Sequence, residues 1–367
     1  MSTLPREVVD EALAAGKARQ EEILGVRYLR FRDDWHHVPR GTVVVEGRVV
    51  WGYPRIGRIL RLETGLAEQF DGPFQAEEKI DGYNVRIVRL GGRVLAFTRG
   101  GFLCPFTTDR LPDLMDTGFL EAEPERVVCA EVAGPENPYL VGHPPFIGED
   151  VRLFVFDLMR LDRPDFEPPD RRARLVREAG LPAAPVFGRY TAADRERLRA
   201  LLRRLDAEGR EGIVLKALAP PWRRAKYVTA SSAVADVRVS VAALRQLPPE
   251  YFTNRILRLV LFLDEEGMDA DPQLERALGA AFIEGLRTAI AQFRAEHRVA
   301  QRFRCRFRER AHAEAFLALQ RRLAGHGRVR ALRLEREGAW EVLEFEKLDA
   351  EMTGLLGHVL RGGLVYD

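Results

Sequence analysis

The 367-residue chain predicts an α+β protein whose central region is built from antiparallel sheets, with a small N-terminal module before it and a C-terminal α+β domain after it. Three observations carry that prediction. Between residues 73 and 240, short apolar runs follow one another with turn signals between them and few helices, which argues for antiparallel pairing and against a doubly wound parallel sheet. After "RQLPPEY" the apolar spacing changes to the three-and-four rhythm of helices. The chain is also too long for one small core, so two or three domains are expected.

In order along the chain, residues 1 to about 25 read as a charged amphipathic helix. "GTVVVEGRVVWGYPRIGRILRL" reads as short strands with "VEGR" as a tight hairpin, closing a module over 1–72. In 73–240, "YNVRIVRL", "VLAFT", "RVVCAEVAG", "VRLFVFDLM", "GIVLKAL" and "AKYVT" read as strands. "PDRRARLVREAG" and "TAADRERLRALLRRLDAEG" are helices set between the last of them. In 241–367, "YFTNRILRLVLFL" and "PQLERALGAAFIEGLRTAIAQFRAEH" are helices, and "QRFRCRFR", "RVRALRLERE" and "AWEVLEFEKL" are strands. Those two helices are apolar over more than one face, more than a lone surface helix needs, so this region is the expected homodimer interface. "QRFRCRFRER" alternates arginine with aromatic and thiol side chains, which suits either an RNA-contacting strand or a solvated sheet face.

Bulk properties exclude several classes. A formal net charge of +2 is not that of a uniformly basic nucleic-acid coat, so any basic surface is local. No apolar run approaches the roughly 20 residues of a membrane span, and "MSTLPREVVDEALAAGKARQEEIL" has no apolar signal core, so a cytoplasmic, membrane-free protein is expected. Cys104, Cys129 and Cys305 lie far apart without C-x-x-C spacing, which offers neither a zinc knuckle nor a disulfide framework. His36, His37 and His143 have no partner at metal-ligand spacing.

Lysine is scarce: Lys17, Lys79, Lys216, Lys226 and Lys347 stand against a background in which every other basic residue is arginine. Lys79, in "QAEEKIDGYNVRIVRL", falls in the turn at the entrance of a strand. A surface lysine in a turn is the plain alternative. An ammonium, however, becomes a nucleophile once it loses its proton, and a guanidinium does not. Glu211 and Lys216 sit at the two ends of "EGIVLK", facing opposite ways unless Gly212 redirects the glutamate, and Lys226 starts the next strand. Taken with Lys79, the two later lysines form a three-ammonium cluster suited to a triphosphate.

The run of motifs resembles the covalent nucleotidyltransferases, the superfamily of polynucleotide ligases and mRNA capping enzymes. "KIDGYN" resembles its nucleophile motif, and "TRGG" (98–101), "AEVAG" (130–134), "FVFDLM" (154–159), "EGIVLK" (211–216) and "RAKY" (224–227) follow in the superfamily's order. With "WGYPRIGRIL" before them and "YFTNRILRLVLFLDEEG" after, the chain is most similar to the homodimeric ATP-dependent RNA ligases known best from archaea. The resemblance implies an antiparallel nucleotidyltransferase domain, ATP and Mg2+ or Mn2+ as cofactors, and single-stranded RNA with 5′-phosphate and 3′-hydroxyl ends as substrate.

It also implies residue roles. Lys79 attacks the α-phosphorus and carries AMP, with its pKa lowered by Lys216, Lys226 and the metal. Asp81 and Asn84 organise the metal and its waters, and Glu211 binds it. Glu78 and Arg99 belong to the nucleotide site, Glu131 takes the ribose hydroxyls, and Phe156 stacks on adenine, with Phe154 pointing the same way. Lys216 and Lys226 neutralise phosphate charge, and Arg224 replaces a common lysine as a phosphate contact. The region after "RAKYVT" has no R-x-D-K-like motif and no five-strand barrel pattern, which argues against DNA ligases and capping enzymes. A DNA ligase, a nucleic-acid 5′-adenylating enzyme and a non-catalytic RNA-binding protein with a degenerate domain remain the alternatives.

Overall fold

The protein is described by a computed structural model over residues 4–244, 246–325 and 327–366. Helix α1 (Arg6–Ala14) is shorter than expected: Gly16 turns the chain, and "ARQEEI" becomes strand β1 (Ala18–Ile23). That segment reads as helical alone, but pairing with β2 (Val26–Phe31) overrides local preference. β3 (Val43–Val45) and β4 (Arg48–Val50) complete a four-stranded antiparallel sheet. Their turn is the expected tight hairpin, with Glu46 and Gly47 both at positive φ, as a two-residue primed turn requires. β5 (Gly57–Arg58) then leaves this sheet, and α2 (Leu62–Gln69) follows.

The next elements are β6 (Phe74–Lys79), β7 (Tyr83–Leu90), β8 (Arg93–Thr98), α3 (Pro105–Leu114), α4 (Gly118–Ala122), β9 (Arg126–Ala133), β10 (Arg152–Arg160) and β11 (Arg163–Phe166). After them come α5 (Pro169–Glu178), β12 (Val186–Tyr190), α6 (Arg195–Ala207), β13 (Gly212–Ala217), β14 (Arg224–Val228) and α7 (Ala230–Ser240). They build two five-stranded sheets, ordered β11-β10-β9-β7-β8 and β12-β6-β13-β14-β5. Every pairing is antiparallel except the short parallel bridge of β5 onto β14. The fold class predicted from sequence therefore stands.

One expectation is corrected. "FQAEEK" is strand β6, flanked on both sides, and Lys79 is its last residue; the turn is Ile80–Gly82. Gln75, Glu77 and Glu78 are buried there, so the segment lacks the apolar alternation by which a strand is read.

Packing leaves one face of the second sheet open. On its far side, Leu62 and Leu66 of α2 and Leu198, Leu202 and Leu205 of α6 cover Phe74, Ala76, Ile213, Leu215 and Tyr227. Truncating a fully buried leucine such as Leu198 to alanine should cost about 2–5 kcal/mol. The first sheet is covered twice: Val88, Leu95, Phe97 and Cys129 meet the N-terminal sheet, and Val85, Ile87 and Val128 meet the core shared with Phe106, Phe307 and Phe316.

The rest of the chain forms α8 (Pro249–Glu266), α9 (Pro272–Glu296), β15 (Ala300–Phe307), α10 (Arg310–Ala324), β16 (Val329–Glu337), β17 (Trp340–Leu348) and α11 (Ala350–Val359). The three strands pair in the order β15-β17-β16. Helices α7, α8 and α9 follow β14 where a barrel was not expected.

Candidate active site

The two five-stranded sheets meet at the turn joining β6 to β7, and a cavity of about 520 Å³ lies between them. A Cβ on Gly82 would fall 2.4 Å from the Val132 carbonyl oxygen, so only glycine lets the corner close this tightly. Lys79, Asn84, Arg99, Glu131, Phe156, Lys216 and Lys226 all line the cavity, and Leu319 and Leu323 of α10 contribute to its wall.

Lys79 Nζ stands 2.5 Å from Glu211 Oε1. Gly212 sits opposite Lys79 in the β6–β13 pairing, at φ +145°, and a Cβ there would lie 2.1 Å from the Tyr227 carbonyl oxygen. That glycine turns Glu211 onto Lys79, which resolves the parity problem posed by "EGIVLK". Burial pulls the Lys79 ammonium down, but Glu211, Glu131 and Asp81 outweigh it and hold its pKa above the ordinary value. The site at rest thus opposes the lowering expected from sequence: Lys79 waits as a protonated ion pair.

Glu131 faces Asn84 across β7 and β9, and burial pushes its carboxyl up to about 8 against the pull of Lys79. At neutral pH it is therefore largely protonated, able to donate as well as accept a hydrogen bond. Asn84 Oδ1 and Glu211 Oε2 are buried acceptors with no hydrogen-bond partner. Asp81, its pKa raised by burial, lines a smaller cavity of about 190 Å³ with Lys79, Glu211, His143, Ser231 and Ser232. Among the described residues no three His, Cys, Asp or Glu side chains form a metal cage. The orphan oxygens of Glu211 and Asn84 fit a cation such as Mg2+, which takes one or two carboxylates and completes its shell with water and phosphate.

At the opposite end, β10 carries a bulge between Val155 and Asp157 that leaves Phe156 as the extra residue. The Phe156 ring lines the cavity, 5.3 Å edge-on from Tyr53. Phe154 does not share that position; it packs on Phe146 and Ile80. Beneath Phe156, Lys216 Nζ binds Glu77 at 2.9 Å, Asp157 at 3.3 Å and the Phe156 carbonyl at 2.5 Å. Arg172 joins Glu77 (2.5 Å) and Asp157 (3.5 Å), and Arg224 reaches Asp157 at 3.4 Å while stacking on Phe166. Lys216 and Arg224 are thus held by carboxylates, not left facing Lys79. Burial raises the Asp157 carboxyl, yet Lys216, Arg224 and Arg172 overcome this and keep it below its usual value.

Lys226 is the ammonium that does face Lys79. Burial, then Lys79, Arg58 and Arg99, bring its pKa down to about 8. Arg99 is exposed at the cavity wall, its backbone N–H donating to the Asn84 carbonyl at 3.1 Å. Glu78 borders the cavity, but its carboxylate bonds Arg210 at 3.1 Å. Sequence reasoning missed Glu77, Asp157, Arg172, Arg58 and the leucines of α10. An acid inside the apolar run "FVFDLM", and Glu77 at the same parity as Lys79, were signals; nothing marked Leu319 or Leu323.

With this geometry in hand, similarity to known proteins becomes informative. The family model "RNA ligase" matches residues 72–228, and the model "Ligase Pab1020 C-terminal region" matches 239–363. A solved structure from Aquifex aeolicus, named "Putative ATP-dependent DNA ligase", is 49% identical, with TM-score 0.96 over 99% of this chain and 100% of that one. A structure named "Archaeal ATP-dependent RNA ligase" is 27% identical, with TM-score 0.88 over 98% and 96% of the two chains. An uncharacterized protein of Methanocaldococcus jannaschii is 25% identical over 327 residues, 86% of this chain and 82% of its own length.

Proposed function

The chain belongs to the archaeal-type ATP-dependent RNA ligase family within the covalent nucleotidyltransferases, and from that premise we propose that it seals RNA ends through a lysyl-AMP intermediate on Lys79. The observation that carries this reading is the Lys79–Glu211 ion pair at 2.5 Å, with Lys79 in the wall of a cavity that Lys226 and Phe156 also line.

In the first step Lys79 Nζ, its ammonium proton released to solvent, forms a P–N bond to the α-phosphorus of ATP while the bond to the bridging oxygen breaks; pyrophosphate leaves and a second Nζ proton is lost to solvent. A divalent cation supplies charge neutralisation on the phosphates. Glu211 and Asn84 would hold that cation through their unpaired oxygens, and Glu211 also sets the charge on Lys79 through their ion pair. Phe156 offers a face to the base, and Glu131 a hydrogen-bonding carboxyl to the sugar. AMP then passes to the RNA 5′-phosphate, and the 3′-hydroxyl displaces it.

Incubation with α-labelled ATP and Mg2+ or Mn2+, followed by denaturing electrophoresis, should give a labelled band that acid removes. Lys79→Arg should abolish the band and ATP-dependent joining, yet still join pre-adenylated RNA, because that last step needs no neutral lysine. Glu211→Ala should impair both. A wild-type protein that takes no label with either metal would leave only a binding function.

The name borne by the Aquifex protein favours a second reading, a DNA ligase. Only contacts to 2′-hydroxyls distinguish the two substrates, so 5′-phosphorylated single-stranded RNA should be sealed far better than matching DNA. Efficient sealing of nicked duplex DNA would favour the DNA reading.

A further inference from the structure

Most cations around the active site are neutralised by a neighbouring acid. Lys79 has Glu211, Lys216 has Glu77 and Asp157, and Arg255 has Asp236 at 2.6 Å. Arg58 is different. It is half-buried, and among the described residues no carboxylate and no hydrogen bond holds its guanidinium. The two acids whose charge it senses, Asp236 and Glu211, are the ones already bound to Arg255 and Lys79.

Its place in the sheet is defined by register. β5 adds in parallel to the edge of β14, with Arg58 opposite Lys226, so both side chains rise from the same face. Across that face one row runs Glu77, Val214, Lys226, Arg58, from the strand that ends in Lys79 out to the sheet edge. Lys226 also has no acid partner within salt-bridge distance among the described residues, so two adjacent cations share one edge without a counter-charge. Holding unpaired cations partly out of water is costly unless an anion completes them, and such preorganisation is what a site for developing negative charge requires.

We propose that Arg58 and Lys226 form a two-cation clamp for the pyrophosphate portion of the nucleotide, with Arg58 as its outer jaw. The inference rests on the adenylyl-transfer reading above. A phosphate chain whose α-phosphorus sits at Lys79 and whose tail runs toward the sheet edge meets Lys226 first and Arg58 next. The charge Arg58 opposes is that of the leaving group, so its contribution belongs to the first chemical step and its reversal.

Three reactions of the full-length protein separate the possibilities. For Arg58→Ala, the ATP concentration giving half-maximal self-adenylation should rise about tenfold, as should the pyrophosphate concentration needed to strip AMP from preformed enzyme–AMP. Arg58→Lys should restore most of both. Sealing of pre-adenylated RNA should stay within about twofold of wild type, and the melting temperature should not fall, because no folded-state partner is lost. Unchanged ATP and pyrophosphate dependence in Arg58→Ala would overturn the clamp. So would a selective loss of AMP transfer from enzyme to RNA, which would reassign Arg58 to the RNA 5′-phosphate. If the wild-type protein takes no label at all, the adenylyl-transfer reading itself fails and takes this one with it.

Discussion

Lys79 and Lys226 face each other with opposite requirements: one must lose a proton to attack, the other must keep one to hold phosphate. Lys79 is held above its ordinary pKa, so its neutral fraction grows about tenfold per pH unit across the working range. Lys226 titrates at about 8, lowered by burial and by Lys79, Arg58 and Arg99 against the opposing pull of Glu211. Its charged fraction therefore falls above pH 8, where the gain from Lys79 is offset. Arginine at 226 would keep its charge throughout. The ratio of Lys226→Arg to wild-type self-adenylation at subsaturating ATP should be flat below about pH 8 and climb above it. Taking a ratio cancels Glu131, which titrates in the same range. A ratio that is flat from pH 6 to about 9.5 would show that Lys226 does not lose its proton in that window. Lys79, Glu211 and Lys226 were legible in the sequence because lysine is scarce and the motifs fall in a known order. The fixing of Lys216 by Glu77 and Asp157 was not, since Glu77 lies 139 residues away and Asp157 belongs to the other sheet.

Among elements, the strands read most surely were those with clean apolar alternation; β7 occupies Tyr83–Leu90, the whole of "YNVRIVRL". β6 escaped because its buried glutamates are compensated by Arg172, Lys216 and Arg210 from distant segments, which no local pattern reveals. β15 was read correctly as a strand, but not what its arginines do. Arg304 and Arg306 bind Glu136, Arg306 also binds Asp150, and Arg308, just past the strand's end, binds Asp113, so this segment ties the C-terminal sheet to the nucleotidyltransferase domain. The centre of that seam is Arg110 on α3, 1% exposed, bonded to Asp113 and Asp150 and lying 4.3 Å over the Trp340 ring. Removing it strips charge-assisted hydrogen bonds from Asp113 and Asp150 and leaves them Arg308 and Arg306, so Arg110→Ala should cost about 1.5–3 kcal/mol. Arg304→Ala, on the exposed side of the same strand, should cost less than about 1 kcal/mol. Urea midpoints measure both, and equal small shifts would mean that the seam contributes no more than an ordinary surface.

For the whole molecule, the question is what covers the outer face of the helices after β14. α8 turns Phe252 and Leu259 inward onto Val234 and Val237 of α7 and Ala281 of α9, and its Glu265 accepts a hydrogen bond from Tyr227 of β14 at 2.8 Å. The opposite side of the same helices shows Ile256, Leu257, Val260 (56% exposed) and Ile283 (60% exposed) to solvent. Large apolar side chains exposed on neighbouring helices mark an interface, and a stable dimer buries about 800 Å² on each partner. A second copy of this chain is the expected occupant, so light scattering should report twice the 41.6 kDa chain mass. The double substitution Val260→Asp with Ile283→Asp places charge in the patch without touching the inward-facing contacts. It should give a monomer with unchanged helical content. The patch lies on α8 and α9, which contribute no residue to the cavity wall, so this monomer should still capture AMP within about twofold of wild type. A wild-type protein that is monomeric at roughly tens of micromolar would sink the dimer, and a monomeric variant unable to take label would mean that the site depends on the second copy.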